Sequence, residues 1–182
     1  SSFLFRVKAS RDFGAMADEA SLESFLKDAD LDGNNFTTVI KHAQNYASIY
    51  GQCFLILDKP KIQTDTKADE LNQDIRPYLS IVTPENVFDW NYKRLPNGKY
   101  VLDYLKIREE VDRSGGTYFR CWHTDVVDTI YVPDGGAEPV LIDTADNQIG
   151  KIPAVILYNA KSHKRGIGQS DLVDIADLQK SI

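Results

Sequence analysis

Cysteine is scarce in this chain of 182 residues, which contains only Cys53 and Cys121. Two cysteines are too few for the disulfide framework of a small secreted protein, and their apolar, strand-like surroundings favour a reducing compartment. Long hydrophobic runs are absent as well: no segment approaches the roughly 18 apolar residues of a membrane span, and the polar N-terminal sequence is not a signal peptide. We therefore expect a soluble product that is made inside the cell and enters no membrane.

Positive charge is also in short supply. The formal net charge is -6 and the pI is about 5.0, so we expect no basic surface that would hold DNA or an anionic membrane tightly. Apolar material is present in ordinary amount, with 42% hydrophobic and 10% aromatic residues. A chain of this size and composition is expected to bury one ordinary core.

Catalytic motifs are missing from the sequence, which has no G-x-S-x-G nucleophile elbow and no phosphate-binding P-loop. The histidines His42, His123 and His163 are not spaced as metal ligands. Cys121 and His123 alternate along a predicted strand and share a face, but a structural zinc needs four ligands and no second pair is present. We predict that the chain is not an enzyme and has no catalytic residue, metal site or cofactor.

One short segment imitates a calcium loop. Asp28, Asp30, Asp32 and Gly33 match the D-x-D-x-D-G opening of an EF-hand, and predicted helices flank it on both sides. The twelfth position is Val39, whereas an EF-hand requires a bidentate glutamate there. The segment is therefore interpreted as an acidic helix end and a glycine turn, followed by an asparagine N-cap for the next helix.

Hydrophobic periodicity indicates an α+β domain with two N-terminal helices, a mainly antiparallel mixed sheet that includes a meander, and a C-terminal helix. Gly51 stands where a left-handed helix cap belongs. The segment PENVFDW is predicted as a turn that covers a sheet edge or core. The remaining boundaries are an arm at 1–17, a domain at 18–169, helices at 18–29 and 36–50, strands at 52–58, 77–83 and 153–158, a mobile loop at 60–76, strands between 99 and 143, and a helix at 170–182.

A basic loop precedes the last predicted helix. Lys161, Lys164 and Arg165 cluster just before Gly166 and Gly168, and Ser170 is a candidate helix cap. Such a loop can contact phosphate or another subunit. The alternative is a solvated loop whose glycines supply backbone angles that other residues resist.

Both ends of the sequence suggest a piece of a longer polypeptide. The chain opens at Ser1 and its only methionine is Met16. The helix predicted at 170–182 has no terminal glycine, proline or basic last turn, so we expect it to continue beyond Ile182.

The order of these segments resembles that of the portal proteins of tailed bacteriophages, the head-to-tail connectors. The likeness extends over roughly 36–182 and depends on NYASIYGQCFLILD, then RPYLSIVTPENVFDW, a meander, KIPAVILYN and GIGQSDLVDIADLQKSI. Each motif is structural and nonspecific by itself, and it is their order that resembles the family. The resemblance is greatest at Tyr50–Gly51 and from Ile152 to Gln179.

The resemblance implies a ring, usually of twelve subunits, at one capsid vertex of a virion assembled in a bacterial cytoplasm. Double-stranded DNA passes through such a ring without sequence specificity, and the family binds capsid protein, terminase and tail connector proteins. This chain would be the wing region, with the start of a stem helix at 170–182, while clip and crown lie outside it. By itself it is then expected to be a monomer or a weak oligomer.

Two other function classes remain open. The chain could be a non-enzymatic protein-binding module that uses a sheet edge or its aromatic meander. It could also be a metal-assisted hydrolase that uses the aspartate-rich turn, in which case the purified protein would contain calcium or zinc.

Overall fold

A computed structural model describes residues 10–16, 19–60, 66, 69, 73–173 and 179. The chain divides into two compact units. The first unit comprises Ser1–Ile81 with Val155–Ile182, and the second comprises Val82–Ala154. Within the described ranges, no helix is both long and apolar enough to span a membrane.

The fold is α+β, as the sequence predicts. Short 3₁₀ turns occur at Gly14–Met16 and Pro84–Asn86. The helices and strands are α1 Ala20–Lys27, α2 Phe36–Tyr50, β1 Gln52–Asp58, β2 Tyr78–Val82, β3 Val87–Arg94, β4 Tyr100–Val111, β5 Thr117–His123, β6 Val126–Val132, β7 Val140–Asp146, β8 Ala154–Tyr158, β9 Ala160–Lys161 and β10 Gly168–Gln169.

Helix α2 has the bounds that its periodicity predicts. The Asn35 side chain caps it by accepting a hydrogen bond of 3.0 Å from the N–H of Thr38. At the other end Gly51 adopts the left-handed conformation, with φ of 87°. A residue with a Cβ resists that conformation, so glycine ends the helix and turns the chain directly into β1.

The core of the first unit forms where α2 packs on a three-stranded sheet. The strand order is β2-β1-β8, which places β1 in the centre. Ala43 and Ala47 of α2 are completely buried against Cys53, and each strand of the sheet adds one partly buried apolar side chain, Leu55, Ile81 and Leu157. The prediction that the three apolar runs form one sheet packed against this helix is therefore confirmed.

The second unit is a five-stranded antiparallel meander in the order β3-β4-β5-β6-β7. Its core follows a single row of cross-strand partners, in which Leu105 pairs with Trp122 and Trp122 pairs with Val127. All three side chains are buried. Side chains that oppose one another across neighbouring strands share a face, so this row continues through the middle of the meander.

Strand β3 differs from the expectation that residues 84–90 form only a turn. Pro84–Asn86 make a single 3₁₀ turn, and Val87–Arg94 then pair with β4. The pairing register shifts between Val87 and Asp89 and again between Asn91 and Tyr92. The first shift inserts Phe88 as an extra residue on β3, whereas the second inserts Asp103 on β4. The extra residue on β3 breaks its alternation of apolar and polar side chains, which is why the sequence pattern hides this strand.

The ends of the helices were predicted less well. Helix α1 occupies Ala20–Lys27 rather than 18–29, and Asp28 leaves helical geometry to begin the aspartate-rich turn. Ser170 follows β10, the next two residues form a turn, and the first helical position is Val173. Most of the helix predicted at 170–182, the first nine residues of the predicted arm and most of the predicted loop at 60–76 lie outside the described residues.

Two leucines in strands of the second unit provide a matched test of the meander core. Leu105 is fully buried, whereas Leu141 is 60% exposed. Leu105→Ala is expected to lower the free energy of unfolding by about 2–5 kcal/mol, because it leaves a cavity. Leu141→Ala should change it by less than about 0.5 kcal/mol. Urea denaturation measures both, and equal losses would contradict the placement of the core.

Candidate functional site

The candidate site is the junction where the end of α2 contacts the hairpin β9–β10. Gly51 and Gly168 touch here through their backbones. A Cβ on Gly168 would overlap the carbonyl oxygen of Gly51, and a Cβ on Gly51 would lie 2.9 Å from the carbonyl oxygen of Gly168. Because the obstructing atoms belong to backbone, neither can move aside as a flexible side chain would. Glycine is therefore required on both sides of the contact.

Ser170 and Asp171 cap the last turn of α2. The Ser170 hydroxyl lies 2.5 Å from the carbonyl oxygen of Ile49 and 3.2 Å from that of Ser48. The N–H of Asp171 donates to the Ser48 carbonyl at 3.0 Å. Carbonyls in the last turn of a helix lack partners within the helix, so these donors supply what the helix cannot. The sequence singled out Ser170 as a cap for the segment that follows it, and its hydroxyl accepts a hydrogen bond of 3.0 Å from the N–H of Leu172 in addition to capping the end of α2.

Two further polar side chains hold the junction together, and sequence reasoning overlooked both. Buried Gln52 accepts a hydrogen bond of 2.6 Å from the N–H of Gly168. Asn159 donates through its amide to the carbonyl of Gln169 at 3.2 Å and to the carboxylate of Asp171 at 2.6 Å. In the sequence, the only sign of this role is that Gln52 directly precedes one apolar run and Asn159 directly follows another.

The tip of the hairpin carries the basic cluster. Its turn is closed by the N–H of Ser162, which donates to the carbonyl of Ile167 at 3.2 Å. Gly166 is buried at φ 78°, so the glycine has the backbone role that the sequence predicted. Lys161, Lys164 and Arg165 are all exposed on this tip.

An open depression lies between the hairpin tip and the end of α2. It is lined by Tyr50, Lys161, His163 and Lys164 together with the exposed apolar side chain of Ile167. The ammonium group of Lys161 lies 5.6 Å from the ring centre of Tyr158. This arrangement can attract an acidic group. Its affinity for a free anion is reduced by the C-terminal end of α2, where the helix dipole is negative.

The aspartate-rich turn uses its oxygens internally. The carboxylate of Asp30 accepts hydrogen bonds from the N–H of Asp32 at 3.1 Å, the N–H of Asn34 at 3.2 Å and the Asn34 amide at 2.8 Å. Partial burial raises the pKa of Asp30, but the hydrogen bonds from Asn34 and the backbone outweigh it and hold the pKa below its ordinary value. The carboxylate is therefore held charged as the acceptor that closes the turn.

Asp28 in the same turn is paired with a cation. One of its oxygens accepts from the N–H of Gly33 at 2.9 Å, and the other lies 2.7 Å from the guanidinium of Arg76. Arg76 also donates to the carbonyl of Asp28. Across the described part of the chain, no group of three or more His, Cys, Asp or Glu side chains has a geometry that could hold a metal ion.

The cysteines and His123 are the remaining candidates for chemistry. Cys53 is buried in the first unit, where its thiol donates to the carbonyl of Ala43 at 3.3 Å, and burial raises its pKa to about 11. Cys121 is also buried, and Nε2 of His123 lies 3.7 Å from a carboxylate oxygen of Asp128. The Cys53 thiol is therefore protonated at neutral pH and unsuited to nucleophilic attack.

Comparison with known proteins does not indicate a family for this chain. The sequence matches no family model, and it matches no curated protein.

Two glycines with nearly the same φ allow the energetic cost of a Cβ at the close contact to be measured. Gly51 and Gly33 have φ of 87° and 85°, but a Cβ on Gly33 would meet nothing within 4 Å. Each alanine substitution is expected to cost about 1–2 kcal/mol for left-handed backbone. Gly51→Ala should cost about 1–3 kcal/mol more, because its Cβ is forced against Gly168. Urea denaturation of both variants measures the difference, and equal losses would show that the contact is loose.

Calcium titration tests the aspartate-rich turn. We expect no heat beyond dilution when Ca²⁺ is added in the micromolar range, because the turn's own donors occupy the Asp28 and Asp30 carboxylates and a twelfth-position glutamate is missing. Isothermal titration calorimetry makes the measurement. A saturable signal that disappears in Asp30→Ala would contradict the interpretation and would revive the metal-assisted hydrolase.

Proposed function

We propose that this chain is the wing region of a bacteriophage portal subunit, a structural part of the ring through which double-stranded DNA enters and leaves the capsid. One observation carries the proposal. The two segments in which the sequence most resembles portal proteins, Tyr50–Gly51 and 152–179, are remote in the sequence but form one junction through Gly51, Gly168 and Ser170. Motifs that meet in space support a shared structural unit better than motifs that agree only in order.

The chemistry of the junction suits mechanical support. The Ser170 hydroxyl is engaged by helix carbonyls, Gly51 and Gly168 are in backbone contact, and Gln52 is buried. Close backbone contacts and a network of hydrogen bonds fix the position of a helix end relative to the strands beside it. A subunit that bears load in a ring needs such fixed joints.

The charge balance is compatible with a conduit for DNA. A strongly basic lining would hold phosphates through the release of counterions and would oppose sliding. This chain has a net charge of -6, so it is not strongly basic as a whole.

Electron microscopy of the natural polypeptide that contains this chain tests the proposal. We expect closed rings with a central channel in negative stain. The Gly51→Ala variant should give fewer intact rings than Gly33→Ala, because only the first disturbs the junction. A protein that remains monomeric, or that forms no closed ring, would contradict the proposal.

An exposed strand favours the second candidate, a protein-binding module. Strand β7 ends the described five-stranded sheet, and its apolar residues Val140, Leu141 and Ile142 are about half exposed or more. Edge strands of this kind receive extended peptides by β-strand addition. A natural polypeptide that forms no ring but binds a single partner through β7 would favour this alternative.

A further inference from the structure

Charge is segregated along the second half of the chain. From Cys121 to Gly150 the sequence contains six acidic residues and no lysine or arginine. From Asn147 to Ser170 it contains four lysines and arginines and no acidic residue. The acidic stretch includes β6 and β7 of the second unit, and the basic stretch includes the hairpin β9–β10 of the first unit. The edge at β6 and β7 is therefore acidic, and the hairpin β9–β10 is basic.

The acidic surface surrounds an apolar strip. Leu141 and Ile142 of β7 are 60% and 55% exposed, and Ile142 is the extra residue at the point where the pairing of β7 with β6 shifts register. Glu138 lies just before the strand and Asp146 ends it, and both are exposed. An apolar centre with a charged rim is the usual anatomy of a protein interface.

The hairpin tip has the complementary arrangement. Ile167 is 40% exposed, and the tip around it carries Lys161, Lys164 and Arg165. An apolar side chain with a basic rim on one copy matches an apolar strip with an acidic rim on another. The match is reciprocal, since every copy of the chain carries both surfaces.

We propose that the β9–β10 hairpin of one copy docks on the β7 edge of a second copy, with Ile167 against the exposed apolar strip and the basic tip of the hairpin facing the acidic rim of that edge. The proposal deepens the function proposed above and rests on it for the choice of a second copy as partner. The two surfaces differ, so the contact is heterologous and runs head to tail. A contact of this kind produces a closed ring when its rotation closes.

Two competing contacts are disfavoured by charge. Pairing of β7 with β7 of another copy would gather two acidic rims on one ribbon, and like charges across strands are destabilising. Docking of the hairpin on DNA phosphate would bring phosphate to the C-terminal end of α2, where the helix dipole is negative.

A charge swap tests the contact. The hairpin variant carries K161E and K164E, the edge variant carries E138K and D146K, and the swapped variant carries all four and keeps the net charge at -6. The control carries E19K and D89K, which changes net charge as the edge variant does. Glu19 precedes α1, and Asp89 lies on β3 at the opposite edge of the meander. Sedimentation velocity of the 182-residue chain at low and high salt measures self-association.

We expect native association that rises with concentration and weakens at high salt. The hairpin variant and the edge variant should each raise the dissociation constant by about tenfold or more, because two attractions become repulsions. The swapped variant should return to within a few-fold of the native value, and the control should stay there too. Circular dichroism checks that every variant is folded.

Several results would overturn the contact. The native chain would remain monomeric up to its solubility limit at low salt. Alternatively, the swapped variant would associate no better than the hairpin or edge variant, or the control would weaken association as much as the edge variant does. A gel shift in which the hairpin variant loses DNA binding while its self-association is unchanged would assign the hairpin to phosphate instead.

The two proposals fail separately. Rings of the natural polypeptide that survive both single-surface reversals would overturn this contact and leave the portal proposal standing. If the charge swap restores association but the natural polypeptide forms no ring, the contact would stand and the portal proposal would be overturned.

Discussion

The contact between Gly51 and Gly168 is the constraint on which the first unit depends. It brings two backbones to a distance that no side chain permits, and it lies at the point where α2 turns into the central strand β1. The donors of Ser170 and Asp171 can reach the carbonyls of α2 only because the backbones approach so closely. Without the contact, the helix end would expose carbonyls without partners, and the hairpin would lose its attachment.

The same constraint determines what the hairpin can do. Its base is fixed by Gln52 and Asn159, whose hydrogen bonds hold the backbone at Gly168 and Gln169. Its tip is left exposed with a basic cluster. A rigid base and an exposed tip suit a contact with another molecule, because less conformational freedom is lost when they bind. The acidic edge at β7 is fixed in a similar way by its pairing with β6.

Local sequence signals predicted most of the fold. The apolar spacing of 36–50 and the glycine at 51 define α2, and three apolar runs define the strands of the first sheet. Strand β3 was hidden because the extra residue at Phe88 breaks its period of two. The sequence also marked Gly51, Gly168 and Ser170 separately, but not that they meet. Their contact, like the hydrogen bond from Gly168 to Gln52, joins residues more than a hundred positions apart in the sequence. Local patterns do not indicate which distant residues will meet.

Amide hydrogen exchange of the 182-residue chain tests most directly whether the junction is one rigid unit. The amides of Asn159, Gly168 and Asp171 donate across it to Gly51, Gln52 and Ser48. If the junction opens only when the first unit unfolds, these three amides will exchange as slowly as those in the centre of β1. Exchange as fast as in an unprotected loop, while β1 remains protected, would contradict the view that this joint holds the helix end and the hairpin together.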